Sequence, residues 1–162
     1  MGLMVQMAAL SEVSLRMAFC ALMGSKYAAV VAGGVEAGWL IDHCEALARE
    51  HHELLEADRE AILAALTGCR TAFRDRNRLM HDVMVPRPGG VSATVRSHRR
   101  SYQVEAVPRP PGYIRGVADA LTHAQHDLLS AIEDALGPES LHLAEQLRQE
   151  DAEAPPRQRA RD

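Results

Sequence analysis

Apolar residues recur along most of the chain with the period of an α-helix. Val13, Met17, Cys20 and Met23 follow Ser11 at helical spacing and stop at Gly24, which predicts a helix with Ser11 as its N-cap. The residues before Ser11 read either as an extension of this helix or as a short separate turn. Tyr27 to Ala32 predicts a second, short helical piece closed by Gly33-Gly34. From Val35 a third stripe runs through Leu40, Cys44, Leu47 and His51, with Asp42, Glu45, Arg49 and Glu50 on other faces. The clearest stripe follows Asp58, which is placed to cap it. Ile62, Leu66, Cys69 and Phe73 lead on to Arg76, Met80 and Val83 in alternating steps of four and three. This stripe ends near Val85, before Pro86-Arg87-Pro88-Gly89-Gly90, a run through which no helix continues.

The period then shortens to two. Val91, Ala93 and Val95 alternate with polar residues, and Tyr102, Val104 and Ala106 repeat the pattern after a polar turn at Ser97 to Arg100. Together they predict a β-hairpin over 91–107, bounded by Pro-rich breakers. From Tyr113 a long helix resumes, with Ile114, Val117, Leu121, Ala124, Leu128, Ile132 and Ala135 on one face. Gly137-Pro138 reads as a stop and restart, and a short amphipathic helix through Leu147 precedes a Pro/Arg/Asp-rich stretch. The predicted fold is all-α, mainly helical: an up-down bundle over 1–150 with the small hairpin inserted before the last long helix, then a disordered tail over 151–162.

Composition supports one ordered domain. With 47% apolar residues in 162, enough apolar surface exists to offset the entropy of ordering, which excludes a long disordered chain. The three cysteines are odd in number, far apart and without a CxxC pair, so they read as small core residues in a reducing, cytoplasmic compartment. The N-terminus lacks a basic start and is interrupted by Glu12 and Arg16, which argues against a signal peptide. The apolar run from Tyr27 to Val35 is far shorter than the ~20 residues a membrane span needs, so no membrane partner is expected.

Charge changes the picture once it is mapped. The formal net charge is -4, yet residues 70–115 carry ten Arg against three acids, while the segments on either side are acidic. Every cation in this block is Arg, whose planar fork suits phosphate. Within the block, Arg76 occupies an apolar-stripe position, Asn77 follows it, and His81 lies one helical turn beyond Asn77. Arg76 and His81 are about 140° apart around the axis, on either side of Met80. A guanidinium, a carboxamide and an imidazole on one edge of a helix seam suffice to cleave RNA without a metal. The imidazole moves a proton, the guanidinium stabilises charge on the phosphate, and the carboxamide positions either partner. The other reading of these residues is structural, with Arg76 paired to an acid across the seam and His81 closing the helix end.

Arg76-Asn77-Arg78-Leu79-Met80-His81 resembles the R-N-x-x-x-H signature of the HEPN superfamily, and its place on a late helix of a helical bundle is similar too. The resemblance spans about Ser11 to Leu136. It implies a homodimer whose facing motif helices form one cleft, and metal-independent endoribonuclease cleavage leaving a 2′,3′-cyclic phosphate and a 5′-hydroxyl. The residues carried over are Arg76, Asn77 and His81 as catalytic groups, with no cofactor. Arg74, Arg78, Arg99 and Arg100, from the same basic block, are expected to steer the RNA backbone. Many such proteins serve in toxin–antitoxin or phage-defence systems, which would make an antitoxin a further partner; others are non-catalytic binding or regulatory modules. The sequence departs from the signature at Asp82, where Gly is common, and its carboxylate either repels a phosphate or orients His81.

Other chemistry finds less support. His43, Cys44, His51, His52 and Glu53 on one helix, with His123 and His126 on another, have the spacing of bundle metal ligands, but matched Glu-x-x-His pairs are lacking and surface histidines explain them more simply. Gly33-Gly34 and Gly89-Gly90 lack the Lys and strand context of a phosphate loop, and no nucleophile-elbow sequence occurs. Met1, Met4, Met7, Met17 and Met23 read as core or dimer packing.

Overall fold

The computed structural model describes residues 2–25, 27–81, 83–86, 92–97, 104–110 and 112–142. They form helices α1 (Gly2–Met23), α2 (Ala28–Ala32), α3 (Ala37–Glu50), α4 (Glu56–His81) and α5 (Tyr113–Leu136), with strands β1 (Val83–Pro86), β2 (Ser92–Ser97) and β3 (Val104–Arg109) between α4 and α5. The fold is mainly helical, as the apolar periodicity predicts. Helix α1 packs on α5 and α3, and α4 packs on the same two, so α1 and α4 stand diagonally and barely touch. The inner stripes close one core in which Leu15, Leu40, Ile41, Ile62, Leu66, Leu121, Leu128 and Ile132 are fully buried.

Three helix boundaries differ from the sequence reading. Ser11 is no N-cap, because α1 is already helical from Gly2 and Ser11 lies buried inside it. Its Oγ sits 2.8 Å from the Met7 carbonyl and 3.3 Å from that of Leu121 on α5. A serine that satisfies its hydroxyl on the preceding turn carries the same letter as a cap. Asp58 does not cap α4 either; it falls with Glu56 in the first turn, where carboxylates face the positive end of the helix dipole. The half-buried Arg59 instead closes the end of α3, its Nε donating to the Ala48 carbonyl at 3.1 Å and Nη2 to that of His51 at 3.3 Å.

The third difference is the end of α4. The helix stops at His81, and Val83–Pro86 is a strand rather than the continuation of the stripe. Val83 pairs with Val95 and Val85 with Ala93, in an antiparallel sheet of order β1-β2-β3. The predicted pair of strands therefore has a third neighbour. Val83, Met84 and Val85 satisfy a helical and a strand pattern alike, and β-branched residues ahead of a proline favour the strand. Within the last turn of α4 the buried position is Leu79, 1% exposed, and not Met80, 41% exposed. Strand β2 runs antiparallel to β3, with Thr94 opposite Val107. The predicted strand positions Val91 and Tyr102, the turn residues beyond Ser97 and the tail over 151–162 lie outside the described residues.

Helix α5 buries Val117, Ala118, Leu121, Ala124, Leu128 and Ile132 and ends at Gly137, whose φ of 80° suits glycine and whose N–H donates to Glu133. Among the described residues α1 alone is long and apolar enough to cross a membrane by length and composition; its inner face is part of the core.

The three thiols are buried and free. Burial raises the Cys20 pKa and pushes Cys44 and Cys69 up to about 12. Above pH ~9 the unfolded chain ionises these thiols while the folded chain keeps them protonated. Stability is therefore expected to fall as pH rises from ~9 toward ~12, by at most ~1.4 kcal/mol per pH unit for each thiol. Urea unfolding midpoints on either side of pH ~9 check this, and replacing Cys44 by alanine should flatten the slope.

Candidate functional site

Four polar residues of α4 repeat at i, i+4, i+7 and i+11: Arg70, Arg74, Asn77 and His81. That spacing holds them within an arc of about 60° on one face of the helix. All four line one open groove of about 920 Å³, together with Arg76 and Arg78. The opposite walls are Glu12 and Arg16 of α1 and the segment from Gly34 to Gly38, where α3 begins. Ile41 and Phe73 form an apolar floor, both nearly fully buried. The N-cap residue of α3 is Glu36, which also lines the groove, so a carboxylate stands at this helix end beside its free N–H groups.

The groove brings together Arg74, Arg76, Asn77, Arg78 and His81, five of the residues singled out in the sequence. Arg99 and Arg100, and with them Asp82, lie outside the described residues. Arg76 is half-buried, and its Nη1 donates to Asn77 Oδ1 at 2.8 Å. Its Nε is buried without an acceptor among the described residues. No carboxylate meets Arg76 among the described residues, so the ion pair across the seam is not found among them. His81 is the exposed last residue of α4, with no hydrogen bond to a described residue. Arg78 lies 3.5 Å from Asp75, so part of its charge is already answered.

Arg70 is the groove residue that reading for a short motif misses. Its Nη2 lies 2.8 Å from both Asp42 and Glu45 of α3, and these two hydrogen bonds, Glu45 first, raise its pKa further. This clamp ties the middle of α3 to the motif half of α4. Replacing Arg70 by methionine is expected to cost under ~1 kcal/mol, because the pair is half exposed, and the loss should shrink in high salt. Denaturant midpoints at two ionic strengths measure it.

The described histidines elsewhere do not gather into a metal site. His43 stacks on Trp39 with ring centroids 3.6 Å apart and places Nδ1 2.8 Å from the Trp39 carbonyl. Among the described residues no group of three or more His, Cys, Asp or Glu side chains is placed to hold a metal ion. Comparison with known proteins finds no match to a family model, a curated protein or a solved structure. The HEPN resemblance therefore rests on the motif and on its setting in a helical bundle.

Proposed function

We propose that this chain is a HEPN-like, metal-independent endoribonuclease acting as a homodimer. The observation that carries the reading is the presence of Arg76, Asn77 and His81 in one solvent-open groove, on a wall rich in arginine. In this mechanism a His81 imidazole takes the proton of the ribose 2′-hydroxyl, and the 2′-oxygen attacks the adjacent phosphorus. The P–O5′ bond breaks, and the leaving 5′-oxygen receives a proton from the partner's His81. The products are a 2′,3′-cyclic phosphate and a 5′-hydroxyl. Arg76 stabilises the extra negative charge on the pentavalent phosphate, and Asn77 holds the guanidinium in place through its carboxamide oxygen. The same resemblance puts such an enzyme in a toxin–antitoxin or defence system, with an antitoxin as its partner.

A second reading is a non-catalytic, dimeric HEPN-like binding or regulatory module using the same groove. It draws on the lack of any described residue that orients the His81 ring. Single-stranded RNA incubated with the purified protein and excess chelator separates the two. Loss of full-length RNA is expected for the nuclease, and intact RNA with retained binding for the module. Mixing wild-type with cleavage-dead subunits tests the shared cleft: activity should fall as the square of the wild-type fraction, and a linear fall would contradict a dimeric site.

A further inference from the structure

The groove is split in charge. Arginines of α4 line one side, and the other side carries two carboxylates, Glu12 and Glu36. Glu12 has an ion partner, since Arg16 on the next turn of α1 lies 3.8 Å away. Glu36 has none among the described residues. Its carbonyl accepts from the Leu40 N–H at 3.1 Å and so opens α3, but its side chain makes no capping bond. Favoured N-caps are Ser, Thr, Asp and Asn, whose side-chain oxygens reach the helix; the Glu36 carboxylate is left to another partner. Open space flanks it, because a Cβ built at Gly34 or Gly38 meets nothing within 4 Å. The wall beneath is held by Arg16, whose Nε donates to the Ala32 carbonyl at 3.3 Å, and by the buried Ala37.

An ionised carboxylate only accepts hydrogen bonds, through two oxygens side by side. In a groove that takes a polyanion it repels phosphate and is matched only by a group that presents donors. Single-stranded RNA exposes the Watson–Crick edges of its bases. Guanine alone places two adjacent donors there, N1–H and the N2 amino group, which fit the two carboxylate oxygens. Uracil offers one donor between two carbonyl oxygens. Adenine and cytosine offer an amino group beside an acceptor nitrogen, which the second oxygen repels. We propose that Glu36 is a specificity-determining residue, holding a guanine base of the RNA in the groove through N1–H and N2–H and directing cleavage to guanosine-containing sites. That the guanine arrives on an RNA strand rests on the ribonuclease reading; the choice of guanine rests on the carboxylate.

Oligouridylates with one central guanosine, inosine, adenosine or cytidine, incubated with the full-length protein in chelator, test this. The guanosine strand should be cut with a kcat/KM about tenfold or more above the other three. Inosine keeps N1–H but lacks the amino group, so it should lose the preference. Glu36→Gln exchanges one acceptor for a donor and removes a negative charge, so its effects should have opposite signs. It should lower kcat/KM on the guanosine strand about tenfold and raise it on the adenosine strand about threefold. Glu50→Gln, near the far end of α3, should change neither, with circular dichroism showing both variants folded. Equal rates on guanosine and inosine strands, or a guanosine preference that survives Glu36→Gln, would overturn the proposal. Fluorescence anisotropy on the same strands separates it from the nuclease reading. Tighter binding of the guanosine than the inosine strand without any cleavage leaves this site standing and ends the nuclease reading; cleavage without base preference does the reverse, and neither binding nor cleavage ends both. GMP should compete only weakly with the guanosine strand; displacement as efficient as by the oligomer would make this a site for a free guanine nucleotide and overturn the strand assignment.

Discussion

Replacing His81 by alanine is expected to lower the RNA cleavage rate by about 10²–10⁴-fold, the usual contribution of a positioned proton-transfer group. The fold should be untouched. His81 is the exposed last residue of α4 and makes no hydrogen bond to a described residue, so its ring supports no part of the core. Single-turnover cleavage in chelator, with the helical circular dichroism signal and the denaturant midpoint recorded beside it, makes the measurement. Cleavage near the wild-type rate would remove His81 from the chemistry. A loss of activity that tracks a loss of helicity would make its role structural.

Replacing Arg76 by methionine is expected to move stability and activity in opposite directions. Arg76 sits at −40° on the helical wheel of α4 relative to Ile62, about midway along the buried arc formed by Cys69, Ala65 and Ala72. A hydrophobe belongs there. The arginine leaves its Nε buried and unpaired, an arrangement that costs about 1–3 kcal/mol in general. Methionine keeps the length of the stem and removes the orphan donor, so unfolding should become harder by up to about 2 kcal/mol. Cleavage should fall by about 10²–10³-fold, the usual loss when one preorganised donor to a transition-state oxyanion is deleted. Functional sites are where local rules are broken at a cost in stability. If Arg76→Met lowered stability as well, the guanidinium would be a packing element and its exceptional position would carry no functional meaning.

The helical layout was legible because burial imposes one period over many turns, but on α1 the face was misplaced: of Val13, Met17, Cys20 and Met23 only Cys20 is buried, and the inner stripe runs through Met4, Ala8, Ser11, Leu15, Ala18 and Leu22. Val117 through Ile132 lie on the inner face of α5 as their spacing predicts, and Ile62 through Phe73 do the same on α4. Boundaries were less legible, because single residues decide them and those residues have more than one use. Ser11 can cap a helix or bond back to its own preceding turn, and the packing of α5 against it selects the second. Val83 and Val85 fit the α4 stripe as well as a strand. The choice falls to pairing with β2, which lies beyond the reach of any helical window.

The groove was legible in part. The short motif drew attention to Arg76, Asn77 and His81, and the charge map to Arg74 and Arg78. Arg70 escaped because it is too far from the motif for a six-residue signature, although its spacing to Arg74, Asn77 and His81 puts it on the same face. The other walls, Gly34 to Gly38 and the α1 pair Glu12 and Arg16, come from distant stretches of chain and only folding brings them opposite α4. Which arginines carry a free charge was not readable at all, since Asp42, Glu45 and Asp75 announce no partner in the sequence.

The most direct measurement is the chemistry of the ends produced when end-labelled single-stranded RNA is incubated with the wild-type protein in excess chelator. A 2′,3′-cyclic phosphate on one fragment and a 5′-hydroxyl on the other are expected, and both should vanish with His81→Ala. Ends bearing a 3′-hydroxyl and a 5′-phosphate, or RNA that stays whole at stoichiometric protein, would contradict the assignment of Arg76, Asn77 and His81 to this reaction.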